Sequence, residues 1–388
     1  MYKENAKSYS FSSFSWRFIP VVGWYRELFP SMLLQTMLNS DIQFRITDTL
    51  SIITDPNFYR MVDGGIRMIR LQRWYGKEKA AMLKSFLKPL ADQLGMWLVY
   101  EIDDLLIYDE IPAYNIAKPH YAYDRVGDSV KEIMEMCDLI TVSTEFLGEV
   151  YQKAFNIPKE KFIVVPNYLP RWWIGEAMNI DRQMNLWRST RNQPRIAFCC
   201  STNHFDVQNK NNGVDDFTHL IPWIKSNIDK YKFIFVGGFP QQLKEEVQQK
   251  KVEFQPPSDL LNYPRELQLR NIDLLAAPLI DNTFNKCKSN IKFLEFSALG
   301  IPMAGQNILT YNKYTDVVFN DANQLDNIVH QLFFANNSEK VYKDLILHNR
   351  NVIEKGDKYS PKGYWLENNA NLYYNLYSIN PKTIHLSL

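Results

Sequence analysis

The chain has almost no net charge. Its 388 residues hold 44 Lys and Arg against 43 Asp and Glu, a balance of +1. No global field therefore draws it to nucleic acid or to an anionic membrane. No apolar run approaches the roughly 20 residues of a membrane-spanning helix. Met1–Ser15 is polar and aromatic, unlike a secretory signal. Cysteine is scarce: Cys137, Cys199, Cys200 and Cys287 show no metal-type spacing, a usage that suits a reducing cytoplasm. Internal repeats and low-complexity tracts are also missing. Aromatic residues, by contrast, make up 14% of the chain, enough to build stacking surfaces for sugars or bases as well as cores.

Short apolar runs alternate with stretches of helical character. A first series comprises Met68–Leu71, Trp97–Ile102, Leu139–Val142 and Phe162–Val165. A second comprises Arg195–Cys200, Lys232–Val236, Val252–Phe254, Leu274–Ala277 and Ile301–Ala304. Strands buried on both faces and separated by helices predict parallel sheets. Two series in one chain predict an α/β protein of two Rossmann-like domains. The boundary is expected within Leu169–Pro194, where polar Arg182–Pro194 precedes the second series. This gives a first domain at 1–180, a second at 181–355 and a tail rich in Trp and Tyr at 356–388.

The segment Lys288-Ser289-Asn290-Ile291-Lys292-Phe293-Leu294-Glu295 and onward to Pro302 reads as a helix with an anion-binding start. Ser289 is the expected N-cap. Ile291, Leu294, Ser297 and Ala298 share one face, and Gly300 with Pro302 ends the helix. A helix start offers unpaired N–H groups and partial positive charge, which suit phosphate. Lys288 and Lys292 add charge there, and Glu295 can accept hydroxyl hydrogen bonds. Diphosphate at the helix start with ribose on the carboxylate outlines a nucleotide-sugar site. The same pattern also suits an ordinary amphipathic helix closed by Gly-x-Pro.

This stretch resembles the donor-site signature of glycosyltransferases of the GT-B fold, above all their large fourth family: Ser-Pro-x-Lys-x-x-Glu-Tyr-x-Ala-x-Gly-x-Pro. Ser289, Lys292, Glu295, Ala298, Gly300 and Pro302 match; Asn290 replaces the proline and Phe296 the tyrosine. The resemblance implies two Rossmann-like domains facing across a cleft, a second domain that binds a nucleotide diphosphate sugar, uridine-linked by family analogy, and no metal or other cofactor. It further implies a final helix crossing back onto the first domain. Many family members carry another glutamate eight residues before the ribose-binding one; here that position is Cys287. A thiol cannot replace a carboxylate on sugar hydroxyls, so the family's retention of configuration does not transfer directly.

Further donor-side residues follow from the same resemblance. Ser201 leaves a strand where backbone N–H groups can approach a ligand, within Ser201-Thr202-Asn203-His204. Lys210 stands where the family has a lysine that reaches the diphosphate, although a solvated polar loop explains it equally well. Phe254 and its Pro-Pro loop stand where related enzymes hold the base. Gly23-Trp24-Tyr25-Arg26 followed by Pro30 is similar to a Gly-x-x-Tyr-Tyr-Arg…Pro element of some bacterial and phage glycosyltransferases, whose glycine lets the backbone come near the donor. It makes Gly23, Trp24 and Arg26 donor-side candidates.

On the acceptor side, Tyr100-Glu101-Ile102-Asp103-Asp104-Leu105 resembles an acidic box of the same enzymes. Asp103 and Asp104 follow a strand, at the edge where open parallel sheets bind ligands, and one of them can take the proton of an incoming hydroxyl. With Lys288 they form the expected catalytic set. A helix N-cap with spare surface charge is the plainer reading. Arg60, Arg67, Arg70, Arg73, Lys77, Lys79, Lys84 and Lys88 stand against only Asp63 and Glu78, with Trp74 and Tyr75 interleaved. Such a run can track a phosphate backbone, and Arg67, Arg70, Arg73 and Lys77 are its nucleic-acid candidates; more often it is a solvated helix face. The expected acceptor is DNA carrying hydroxymethylcytosine, as phages of enteric bacteria glycosylate their own DNA in the host cytoplasm. A surface or lipid-linked glycan is the alternative. A non-catalytic nucleotide-sugar or nucleic-acid binding module is the rival of another class.

Overall fold

The computed structural model describes residues 7–12, 23–36, 43–47, 68–123, 125–174, 179–207, 213–258 and 261–378. These residues form two six-stranded sheets in which every strand pair is parallel. The first contains β1 (Lys7–Ser12), β2 (Gln43–Thr47), β3 (Met68–Gln72), β4 (Trp97–Ile102), β5 (Leu139–Val142) and β6 (Phe162–Val164), in the order β2-β1-β3-β4-β5-β6. The second contains β7 (Arg195–Cys200), β8 (Lys232–Gly237), β9 (Glu253–Gln255), β10 (Leu274–Ala277), β11 (Met303–Gln306) and β12 (Val318–Phe319), in the order β12-β11-β10-β7-β8-β9.

Each apolar run of the sequence became a strand, β6 and β9 at the sheet edges and the others between two neighbours. β3, β5 and β10 are buried along their whole length, as expected where helices cover both faces. The last run shifted by two residues: Ile301 and Pro302 belong to the helix stop, and β11 begins at Met303. β9 likewise begins at Glu253. β1, β2 and β12 fall outside the runs read from the sequence; β2 and β12 are edge strands, and β1 lies between β2 and β3. The polar stretch expected as linker is instead the helix Ile180–Thr190, capped by the Asn179 side chain, with Trp187 fully buried.

In both sheets the strand order reverses, between β1 and β3 and between β7 and β10. Crevices open at the carboxyl ends of strands at such points. One apolar core continues from Met68, Val99 and Leu139 of the first sheet to Ala197, Ile234 and Leu275 of the second. The tail helps to join them. Leu169 bridges Trp365 in parallel register, and the helix Ala370–Ser378 packs against the helix Phe29–Thr36 and β1. Among the described residues no helix is long and apolar enough to cross a membrane.

Candidate active site

The helix Ile291–Ala298 starts one residue later than expected. Asn290 occupies the cap position without a capping bond from its side chain. Ser289 is therefore not the cap; its Oγ accepts a 2.8 Å hydrogen bond from Asn167 Nδ2, which ties it to the first sheet. From Phe293 to Ala298 every residue is buried, so the helix is enclosed on all sides rather than on one face. Gly300, at φ 76°, closes it, and its N–H donates to Ser297. Only a residue without Cβ adopts that conformation at little cost.

The helix start gathers polar groups without a use inside the fold. Asn290 is 4% exposed, and its Nδ2 has no partner among the described residues. A buried donor left alone costs about 1–3 kcal/mol, which a bound acceptor would offset. Lys288 lies over the Phe284 ring at 4.7 Å. Burial lowers the Lys292 pKa, and the charge of Lys288 lowers it further. An anion would relieve both lysines.

Glu295, one turn into the helix, is 7% exposed. Burial pushes its carboxyl up to about 7, against hydrogen bonds from Tyr25 and Tyr263 and the charge of Lys292. Tyr25 donates its hydroxyl to Glu295 Oε1 across the cleft. Tyr25 was not singled out in the sequence, although it lies between two residues that were. The Tyr25 hydroxyl thus stands on the carboxylate that the sequence reading offered to a ribose hydroxyl.

The acidic box faces this helix start. Asp103 and Asp104 follow β4 in a loop, not at a helix cap. Asp103 is 6% exposed, and its Oδ1 lacks a partner among the described residues. Burial and the neighbouring Asp104 charge push it up to about 8. Asp104 pairs with Arg73 at 2.8 Å. Burial works against its charge, but Arg73 and then Lys288 outweigh it and hold the carboxyl below the usual range. The two carboxyls are thus separated in protonation, as acid and base partners are. Asp104 also feels Lys288, which comes from the second half, so Asp103, Asp104 and Lys288 lie together.

Several expected contacts fall elsewhere. Arg26 is 2% exposed; it pairs with Glu101 at 2.7 Å and donates to Asn167 and the Val165 carbonyl. It braces the floor of the first sheet and is not presented to a donor. Gly23 is buried just before the π-helical turn Trp24–Leu28, and Trp24 is half-buried, its ring edge-on to Phe29. Ser201 is exposed and starts a short turn. Phe254 is 37% exposed and packs edge-on against Phe239. Cys287 is buried among first-sheet apolar residues, and its carbonyl accepts from Thr144 Oγ1; it is a packing contact between the halves.

The basic run is not one surface. Arg70 is 1% exposed, pairs with Glu27 at 2.8 Å and lies 4.5 Å under the Tyr377 ring. It cannot meet a nucleic acid, because β3 turns it inward. Arg73 is committed to Asp104, and of the candidates described only Lys77 is exposed. Arg67 and Lys210 lie outside the described residues.

The chain matches no family model and no curated protein sequence. It does match solved structures. Anabaena HepE, crystallised with UDP and glucose, superposes with a TM-score of 0.56 at 12% identity, over 96% of this chain and 100% of that one. HepE with UDP-glucose gives 0.55 at 12%, over 95% and 98%. A glycosyltransferase from Rickettsia africae gives 0.54 at 10%, over 97% and 99%. With its two parallel sheets facing across a cleft, the chain has the GT-B fold.

Proposed function

We propose that this chain is a glycosyltransferase that moves a sugar from a nucleotide diphosphate sugar, uridine-linked, to an acceptor hydroxyl. The observation that carries the reading is the convergence at one helix start of Lys288, Lys292 and the unpartnered Asn290 amide, opposite Asp103 and Asp104. The HepE complexes with UDP and UDP-glucose support the choice of donor.

In this reading the diphosphate seats on Lys288, Asn290 Nδ2 and the first N–H groups of the helix. Fixed donors at the point where the leaving group gains charge supply the main catalytic contribution. Glu295 exchanges the Tyr25 hydroxyl for a ribose hydroxyl. The acceptor hydroxyl approaches Asp103, whose pKa near the working pH suits proton transfer. Contact between the halves, through Asn167–Ser289 and Thr144–Cys287, excludes water from the transfer.

The motive for a DNA acceptor was a continuous basic run, and Arg70 and Arg73 do not contribute to one. A glycan hydroxyl is therefore the acceptor we favour. A UDP-release assay with a panel of UDP-sugars tests the whole reading, with glycan acceptors, hydroxymethylcytosine DNA, unmodified DNA and no acceptor. Release with at least one UDP-sugar is expected, faster with a glycan. Release that depends on hydroxymethylcytosine would restore the DNA acceptor. UDP binding with no release under any condition would mark a binding module instead.

A further inference from the structure

We infer that His204 is a ligand of the donor diphosphate and takes up a proton when that anion seats, an inference that rests on the donor-site reading above. His204 follows β7, at the carboxyl edge beside β10 where the strand order reverses. Its Nδ1 lies 2.8 Å from Asp216 Oδ2, and its side chain is 9% exposed.

Asp216 is fully buried and unusually well held. Its Oδ1 accepts from the Ile280 N–H at 2.9 Å, Asn285 Nδ2 at 2.8 Å and the Tyr114 hydroxyl at 3.1 Å. Ile280 follows β10, Asn285 precedes the signature helix, and Tyr114 comes from the first half. Three donors converge on Oδ1, and Oδ2 is left to accept from the ring, so the imidazole gives it Nδ1–H. Nε2 is left with a lone pair, and it has no hydrogen-bond partner among the described residues.

The charged groups around the ring decide its state. Asp216 holds one side, Lys292 and Lys288 act from the signature helix and the loop before it, and Asp104 acts from across the cleft. Burial, with Lys292 and Lys288, lowers the imidazole to about 4, so it is neutral in the empty site. A diphosphate between the same lysines reverses their field. Nε2 then gains a proton and donates to a phosphate oxygen, while Asp216 fixes the ring. A purely structural histidine would keep its Nδ1 bond and remain neutral throughout.

The test follows the histidine directly. Full-length protein with labelled histidine is titrated from pH 4.5 to 8.5 by imidazole carbon–proton NMR, free and with saturating UDP, saturation being checked by calorimetry. With six histidines in the chain, His204→Gln identifies the resonance. The expected result is an apparent pKa that rises by about two units or more with UDP and does not move with uridine, which lacks the diphosphate. His204→Gln should weaken UDP binding about tenfold at pH 5 and little at pH 8.5. UDP bound with the titration unmoved, or uridine moving it equally, overturns the inference alone. No nucleoside diphosphate binding to the wild type overturns the donor-site reading, and this inference with it.

Discussion

Asp104→Asn offers the sharpest test of the acidic box. Asp103 stands at about 8, because burial and then the charge of Asp104 disfavour its ionised form. If Asp103 receives the acceptor proton, kcat/KM should climb with pH and level off near that value. At pH 7 roughly a tenth of Asp103 is ionised. Two unit charges about 6 Å apart, at an effective dielectric of about 20, interact by about 3 kcal/mol, or about two pKa units. Removing the Asp104 charge therefore brings the limb from about 8 to about 6. Arg73 acts in the same direction, since its charge already lowers Asp103 and is no longer offset by Asp104. Initial rates of UDP release between pH 5.5 and 9.5 give the midpoint, whatever happens to the height of the profile. A midpoint that stays, or that moves up, would refute the assignment of Asp103 as the titrating group and of Asp104 as its partner.

Asp103→Asn should abolish most transfer yet stabilise the fold. The folded pKa is raised, so the ionised carboxyl opposes folding increasingly as pH rises from the unfolded value near 4 toward about 8. Thermal melts should show a gain of a few degrees at pH 8, about 2 to 4 °C per kcal/mol, and a smaller one at pH 5. Glu295→Gln should weaken UDP binding by about 1–2 kcal/mol, read by calorimetry, while uracil-free pyrophosphate binds as before; equal loss of both would place Glu295 at the diphosphate instead. Arg70→Ala should destabilise the protein by about 3–5 kcal/mol by breaking its buried ion pair with Glu27. Unchanged denaturation with loss of DNA binding would instead restore Arg70 to a nucleic-acid surface.

By itself the sequence determined what depends on near neighbours. Runs such as Leu139–Val142 and Leu274–Ala277 are apolar on both sides, and a run of that kind is stable only inside a sheet covered by helices. The signature helix, its two lysines and its Gly300 stop are likewise local, since caps and breakers act within a turn. Only the tertiary structure decided which buried charges meet. Tyr25 reaches Glu295 across 270 positions, and Asn167 claims the Ser289 hydroxyl that local logic gave to the helix cap. Arg70 sits in a cationic run, but strand geometry turns it inward to Glu27, and Arg73 to Asp104. The His204–Asp216 pair, completed by Tyr114, Ile280 and Asn285, draws on separate strand ends and a loop of the other half. The physical reason is common to all of these. A buried charge must find a partner, and chain topology, not spacing, sets which partner lies within reach.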